Sequence, residues 1–89
     1  MAFVVVHHKI ENFGKWKPVY DSDIPNFMAK GAKSQMVLRN SADPNELFVI
    51  LEWDSKENAR AYMDSEHVKT KMQQAGVVGM PAIYFLDKA

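Results

Sequence analysis

Three short segments of this chain are apolar on consecutive residues, and that pattern constrains the fold more than any other feature. They are Phe3-Val4-Val5-Val6, Leu47-Phe48-Val49-Ile50-Leu51 and Ile83-Tyr84-Phe85-Leu86. A strand with one face in water alternates apolar and polar residues, whereas a run without alternation is buried on both sides. Between these runs lie only two stretches of helical periodicity, and two helices cover one face of a sheet. The other face needs a cover of its own. Leaving even ~500 Å² of apolar surface bare would forgo on the order of 12 kcal/mol, which matches the whole stability of a small domain. A second copy of the chain is the simplest cover, so a homodimer formed through the sheet is expected.

The elements follow from local chemistry. Phe3 to Lys9 reads as a strand. Asn12 is a suitable N-cap for a helix carrying Phe13, Trp16, Tyr20, Ile24, Phe27 and Met28 at helical spacing, with Gly31 as its stop. Pro25 predicts a kink or break near Ser22 to Ile24, because the residue before a proline avoids the helical region. Lys33 to Asn40 reads as a charged edge strand, and Ser41 to Asn45 as a turn. Leu47 to Trp53 is the next strand. Asp54-Ser55-Lys56-Glu57 has capping-box spacing and opens a helix with Ala59, Tyr62 and Met63. Ser65 caps a further helical stretch bearing Val68, Met72 and Ala75, and Gly76 stops it. Val77 to Pro81 reads as a loop, and Ala82 to Leu86 as the last strand. The order βαββαβ with short connections makes one ferredoxin-like α+β domain over residues 1–89, with a four-stranded antiparallel sheet and the first and third strands central.

Composition narrows the function classes. The 89 residues include no cysteine, which removes disulfides, zinc–thiolate sites and thiol nucleophiles. Formal net charge is zero, and no basic stripe interrupts the strands, so nucleic-acid binding is not expected. No stretch approaches the roughly 20 apolar residues of a membrane span, and the apolar start is shorter than a signal peptide and lacks a basic lead. A cytoplasmic protein acting on a small molecule is the expectation. Phosphate loops, nucleophile elbows and His-Glu-x-x-His motifs are missing, and no metal site or cofactor is expected.

His8 is the candidate catalytic residue. It shares a strand face with Val4, Val6 and Ile10, while His7 points to the opposite face, so the pair cannot chelate one metal. An imidazole titrating near neutrality suits a base or a hydrogen-bond donor. The competing explanation is a strand-end histidine satisfied at the start of the helix or at the dimer seam. Trp16, Trp53, Tyr62 and Met72 are the candidate pocket residues, large and for the most part polar-tipped; equally, aromatics at such spacing are ordinary core. Six methionines suit adaptable packing about a ligand or simply fill gaps. Arg39 could hold an anionic group, Arg60 is expected on the solvated side of its helix beside Glu57, and His67 is expected to be exposed.

Four further stretches are His8-Lys9-Ile10-Glu11-Asn12-Phe13-Gly14-Lys15-Trp16-Lys17-Pro18-Val19-Tyr20-Asp21, Asp43-Pro44-Asn45-Glu46, Glu52-Trp53-Asp54-Ser55 with Ala59-Arg60-Ala61-Tyr62, and Ala75-Gly76-Val77 followed by Pro81. Together they resemble the antibiotic-biosynthesis-monooxygenase-like family of dimeric α+β barrels. The resemblance spans nearly the whole chain. It implies a ferredoxin-like protomer, a dimer through the sheets and an apolar pocket between sheet and helices. It also implies small-molecule chemistry of the cofactor-independent monooxygenase or isomerase kind on an aromatic or polyketide-like substrate, or else a non-catalytic ligand-binding or assembly module. Haem-degrading relatives carry a tryptophan, a histidine and an asparagine where this chain has Tyr62, Met72 and a position near Val6, so haem degradation is not expected.

Overall fold

A computed structural model describes residues 2–89, leaving Met1 outside the described residues. The order is β1 (Ala2–Ile10), α1 (Phe13–Ala29), β2 (Ala32–Asn40), β3 (Asp43–Trp53), α2 (Lys56–Met63), α3 (Glu66–Gln74) and β4 (Val77–Asp87). The four strands form one antiparallel sheet in the order β2-β3-β1-β4, a ferredoxin-like arrangement with β1 and β3 at the centre. Two of the three unbroken apolar runs take the positions with a neighbour on each side, as expected of them, and the third, Ile83–Leu86, lies on the edge strand β4. The charged strand β2 takes an edge.

Strand parity divides the molecule. Val4, Val6, His8 and Ile10 of β1 join Leu47, Val49, Leu51 and Trp53 of β3 beneath the helices, and all eight are buried. Trp16 and Phe27 of α1, Ala59, Tyr62 and Met63 of α2, and Val68 of α3 complete this core. The opposite sheet face carries Phe3, Val5 and His7, then Phe48 and Ile50, then Met36 and Leu38, then Tyr84 and Leu86. Val5 pairs with both Ile50 and Tyr84, and Ile50 with Met36, so one apolar row crosses all four strands. Among the described residues no element covers that row, and Met36, Leu38, Tyr84 and Leu86 are each about half exposed. At one end His7 stacks on Phe48 at 4.4 Å and meets Glu46 Oε2 at 2.7 Å.

Three boundaries differ from the sequence expectation. Helix α1 runs unbroken through Pro18 and Pro25. Both prolines are exposed and seven residues apart on one side, so the carbonyls they free face solvent rather than the core. The turn after β2 is only Ser41-Ala42; the Asn40 side chain accepts from Ala42 N–H and Asp43 from Asn45 N–H, which lets β3 begin at Asp43. Val77 to Pro81 is strand, not loop. Val77 and Val78 pair with Ile10 and Lys9, the register then jumps to Ala82 opposite His7, and Gly79, Met80 and Pro81 bulge opposite His8 alone. Gly79 takes a φ of 73°, the left-handed turn that this bulge requires and that L side chains resist.

Capping holds the helices in register. Asn12 accepts from Lys15 N–H, and Ser65 from Val68 N–H. The second helix is capped by Ser55, which accepts from Asn58 N–H, one residue later than the Asp54 box predicts; Asp54 accepts from the Asn58 side chain instead. Each cap is worth about 0.5–2 kcal/mol.

Candidate functional site

A cavity of about 80 Å³ lies between the covered sheet face and helices α1 and α3. Its floor is Val6 and His8 of β1 with Val49 and Leu51 of β3. Trp16, Tyr20 and Phe27 form one wall, Met72 and Ala75 of α3 the other, and Tyr62 one end. Trp16 stacks on Tyr20 at 4.6 Å, and Phe27 meets Tyr62 edge-on at 6.1 Å, so the aromatic spacing of α1 makes a continuous wall.

His8 is 95 % buried, and neither ring nitrogen has a hydrogen-bond partner among the described residues. Its nearest aromatic is Trp16, at 5.9 Å between ring centres. Leaving a buried polar group unpaired costs about 1–3 kcal/mol, which is why such groups are rare and informative. Burial, with a smaller push from His7, lowers the imidazole to about 4. The near-neutral titration expected from sequence is thereby corrected: desolvation keeps this ring uncharged at neutral pH. A neutral imidazole offers one donor and one acceptor, the complement of a hydroxyl group. The β4 bulge sits directly opposite this residue, the kind of place where bulges re-aim a side chain.

The second polar feature of the cavity is Asp23, 7 % exposed on α1. One carboxylate oxygen accepts from the Tyr62 hydroxyl. The other accepts from the Asn26 amide at 3.0 Å and meets His67 Nε2 at 2.6 Å. Asp23 and Tyr62 face the cavity, while His67 and Asn26 line a groove on the outer surface. Tyr20 is half-buried; its hydroxyl donates to Gln35 Oε1 at 2.8 Å, and burial, with Asp21 and Asp23 nearby, raises the phenol above its ordinary value.

Of the residues singled out from sequence, His8, Trp16, Tyr62 and Met72 line the cavity. Trp53 does not. It is fully buried behind Tyr62, 5.4 Å between rings, with Nε1 unpartnered. Neither arginine lines the cavity: Arg39 lies over Phe13 at 4.4 Å and Arg60 over Phe85 at 4.2 Å. His67 is exposed as expected, yet it is bound to a buried carboxylate that sequence reasoning missed. Asp23 reads as an ordinary polar position on a helix, and its three partners come from its own helix and two others. Among the described residues no group of three acidic, histidine or cysteine side chains is placed to hold a metal, and no helix is long and apolar enough to cross a membrane.

Solved structures share this architecture. A protein assigned to the antibiotic biosynthesis monooxygenases from Bordetella bronchiseptica superposes with a TM-score of 0.82 at 13 % identity, covering 99 % of this chain and 96 % of that one. SnoaB, a cofactor-independent oxygenase from Streptomyces nogalater, gives 0.81 at 12 % identity over 99 % and 92 %. A conserved protein from Methanosarcina mazei gives 0.80 at 17 % identity over 99 % and 92 %. No protein-family model matches the chain, and no curated protein matches it significantly. The fold is that of the antibiotic-biosynthesis-monooxygenase-like proteins. At such identities the likeness is one of fold.

Proposed function

We propose that this chain is a sheet-to-sheet homodimer whose cavity binds a small aromatic molecule, on which it acts as a cofactor-independent oxygenase. The observation that carries the binding is His8, a buried imidazole whose two nitrogens have no partner among the described residues, in the lining of an otherwise largely apolar, aromatic-walled cavity. The cavity has about half the volume of the ~150 Å³ apolar hole that accepts benzene. A single ring, part of it at the open mouth, suits it better than a polyketide scaffold of several rings. In the oxygenase chemistry His8 takes the proton of a phenolic hydroxyl. The electron-rich anion then reduces dioxygen itself; one oxygen atom enters the ring carbon as a carbonyl and the other leaves as water.

The dimer rests on the uncovered apolar row. A four-stranded face about 4.8 Å per strand wide and up to eleven residues long presents on the order of 500 Å². Two such faces reach the ~1,000 Å² that a specific interface requires.

A second reading, a binder without turnover, is favoured by the lowered His8 value: an imidazole near 4 is a weak base at neutral pH. One experiment separates the two. Oxygen uptake is followed with phenol, catechol and hydroquinone, alongside thermal shifts with the same compounds. Uptake that disappears in His8→Ala supports the oxygenase, and a thermal shift without uptake supports the binder. Neither uptake nor shift with any compound would contradict both.

A further inference from the structure

The cavity lining includes one buried acidic side chain. Asp23 belongs to the lining, and its carboxylate is held by Tyr62, which borders both the cavity and the outer groove, and by Asn26 and His67, which line the groove alone. The pair formed with His67 is therefore oriented, its negative end inward and its imidazole toward solvent. Three hydrogen bonds occupy three of the roughly four acceptor positions of a carboxylate, leaving room for one more donor and none for an anion. Lys71 is the one lysine or arginine among the described residues of the lining. Its ammonium lies 3.4 Å from Ser22 Oγ in an exposed contact at the rim, where water screens it. Asp23, 93 % buried, is screened far less. The Tyr20 and Tyr62 hydroxyls already donate to Gln35 and Asp23. His8 alone on this lining has free hydrogen-bonding valences of both kinds, and being uncharged it offers an anion no compensation.

We infer that the cavity selects uncharged hydroxy-arenes over arene carboxylates of the same size, with His8 holding the hydroxyl and Asp23 refusing the anion. The inference rests on the ligand-binding reading of the cavity given above and adds to it the charge of the ligand and a specificity-determining residue. Like charges brought together in a partly buried site weaken binding by about tenfold to a hundredfold.

Three probes of near-equal size test it at neutral pH: phenol, benzoate and toluene, with affinities from isothermal titration. Phenol is expected to bind tightest and benzoate weakest, about tenfold or more apart. His8→Phe brings phenol down to toluene. Asp23→Asn narrows the phenol–benzoate gap by about tenfold, because the amide removes the charge and keeps the shape. Benzoate binding as tightly as phenol to the native protein overturns the charge selection, whatever the variant does, so the inference stays testable if Asp23→Asn misfolds. An unchanged gap in a folded Asp23→Asn overturns the role of Asp23. If none of the three probes binds, the ligand-binding reading fails and this inference falls with it, a result distinct from binding without discrimination.

Discussion

Replacing Ile50 by aspartate places a carboxylate at the centre of the uncovered sheet face. Ile50 pairs with Val5 on one side and Met36 on the other, and Phe48 and Glu52 flank it along β3. In a two-fold dimer the change enters twice. Each copy loses the part of an isoleucine side chain's burial that association adds, about 1 kcal/mol, and leaves a desolvated carboxylate without a partner, a further 2 kcal/mol or more. Together the two copies weaken association by about 6 kcal/mol, about four orders of magnitude in dissociation constant. The isolated protomer loses little, because Ile50 is only half-buried there and the strand preference of the residue is worth at most about 1 kcal/mol. Sedimentation equilibrium, with circular dichroism to confirm the fold, is the assay. The native protein should sediment as a dimer at micromolar concentration and Ile50→Asp as a folded monomer. A native monomer, or a variant that dimerises as tightly as the native chain, would refute the reasoning.

Two further predictions concern stability. Burial lowers His8 from 6.5 to about 4, so on acidification the unfolded chain takes up this proton before the folded one does. Stability is therefore insensitive to His8 above about pH 7 and falls by about 2 kcal/mol between pH 7 and pH 5. Asp43 and Glu46 lie below the ordinary carboxylate range, held there mainly by the Asn45 N–H and the Asn40 amide. Their contributions are lost only at lower pH. Urea unfolding of native and His8→Phe protein at both pH values checks this, and parallel pH dependences would contradict it. Tyr62→Phe removes a donor from the buried Asp23 carboxylate and should cost about 1–3 kcal/mol in the same assay; a neutral change would show that water replaces the hydroxyl.

The parts of this molecule legible in its sequence are those decided by periodicity. Strand parity placed His8 on the covered face and His7 on the other, and both central strands carry unbroken apolar runs, as does the edge strand β4. Asn12 and Ser65 announced their helices because capping is a local interaction. What escaped depends on partners distant along the chain. Val77 to Pro81 has loop composition and becomes strand only because β1 pairs with it, the Gly79 bulge absorbing the mismatch. Pro25 interrupts nothing because its side of α1 faces water. Asp23 gains its character from Tyr62 and His67, 39 and 44 residues away. Trp53 was misplaced for the same reason: nothing in its neighbourhood in the chain shows that Tyr62 stands between it and the cavity.

The central claim is that the unpartnered imidazole of His8 is a ligand contact. Long-range proton–nitrogen NMR of the histidine rings at neutral pH tests it directly, with phenol added in steps. The free protein should show His8 as a neutral ring, and phenol should move one of its ring nitrogens along a saturating curve while His7 and His67 stay in place. His8 signals that remain fixed while phenol binds, or an imidazole already charged at neutral pH without ligand, would contradict the account.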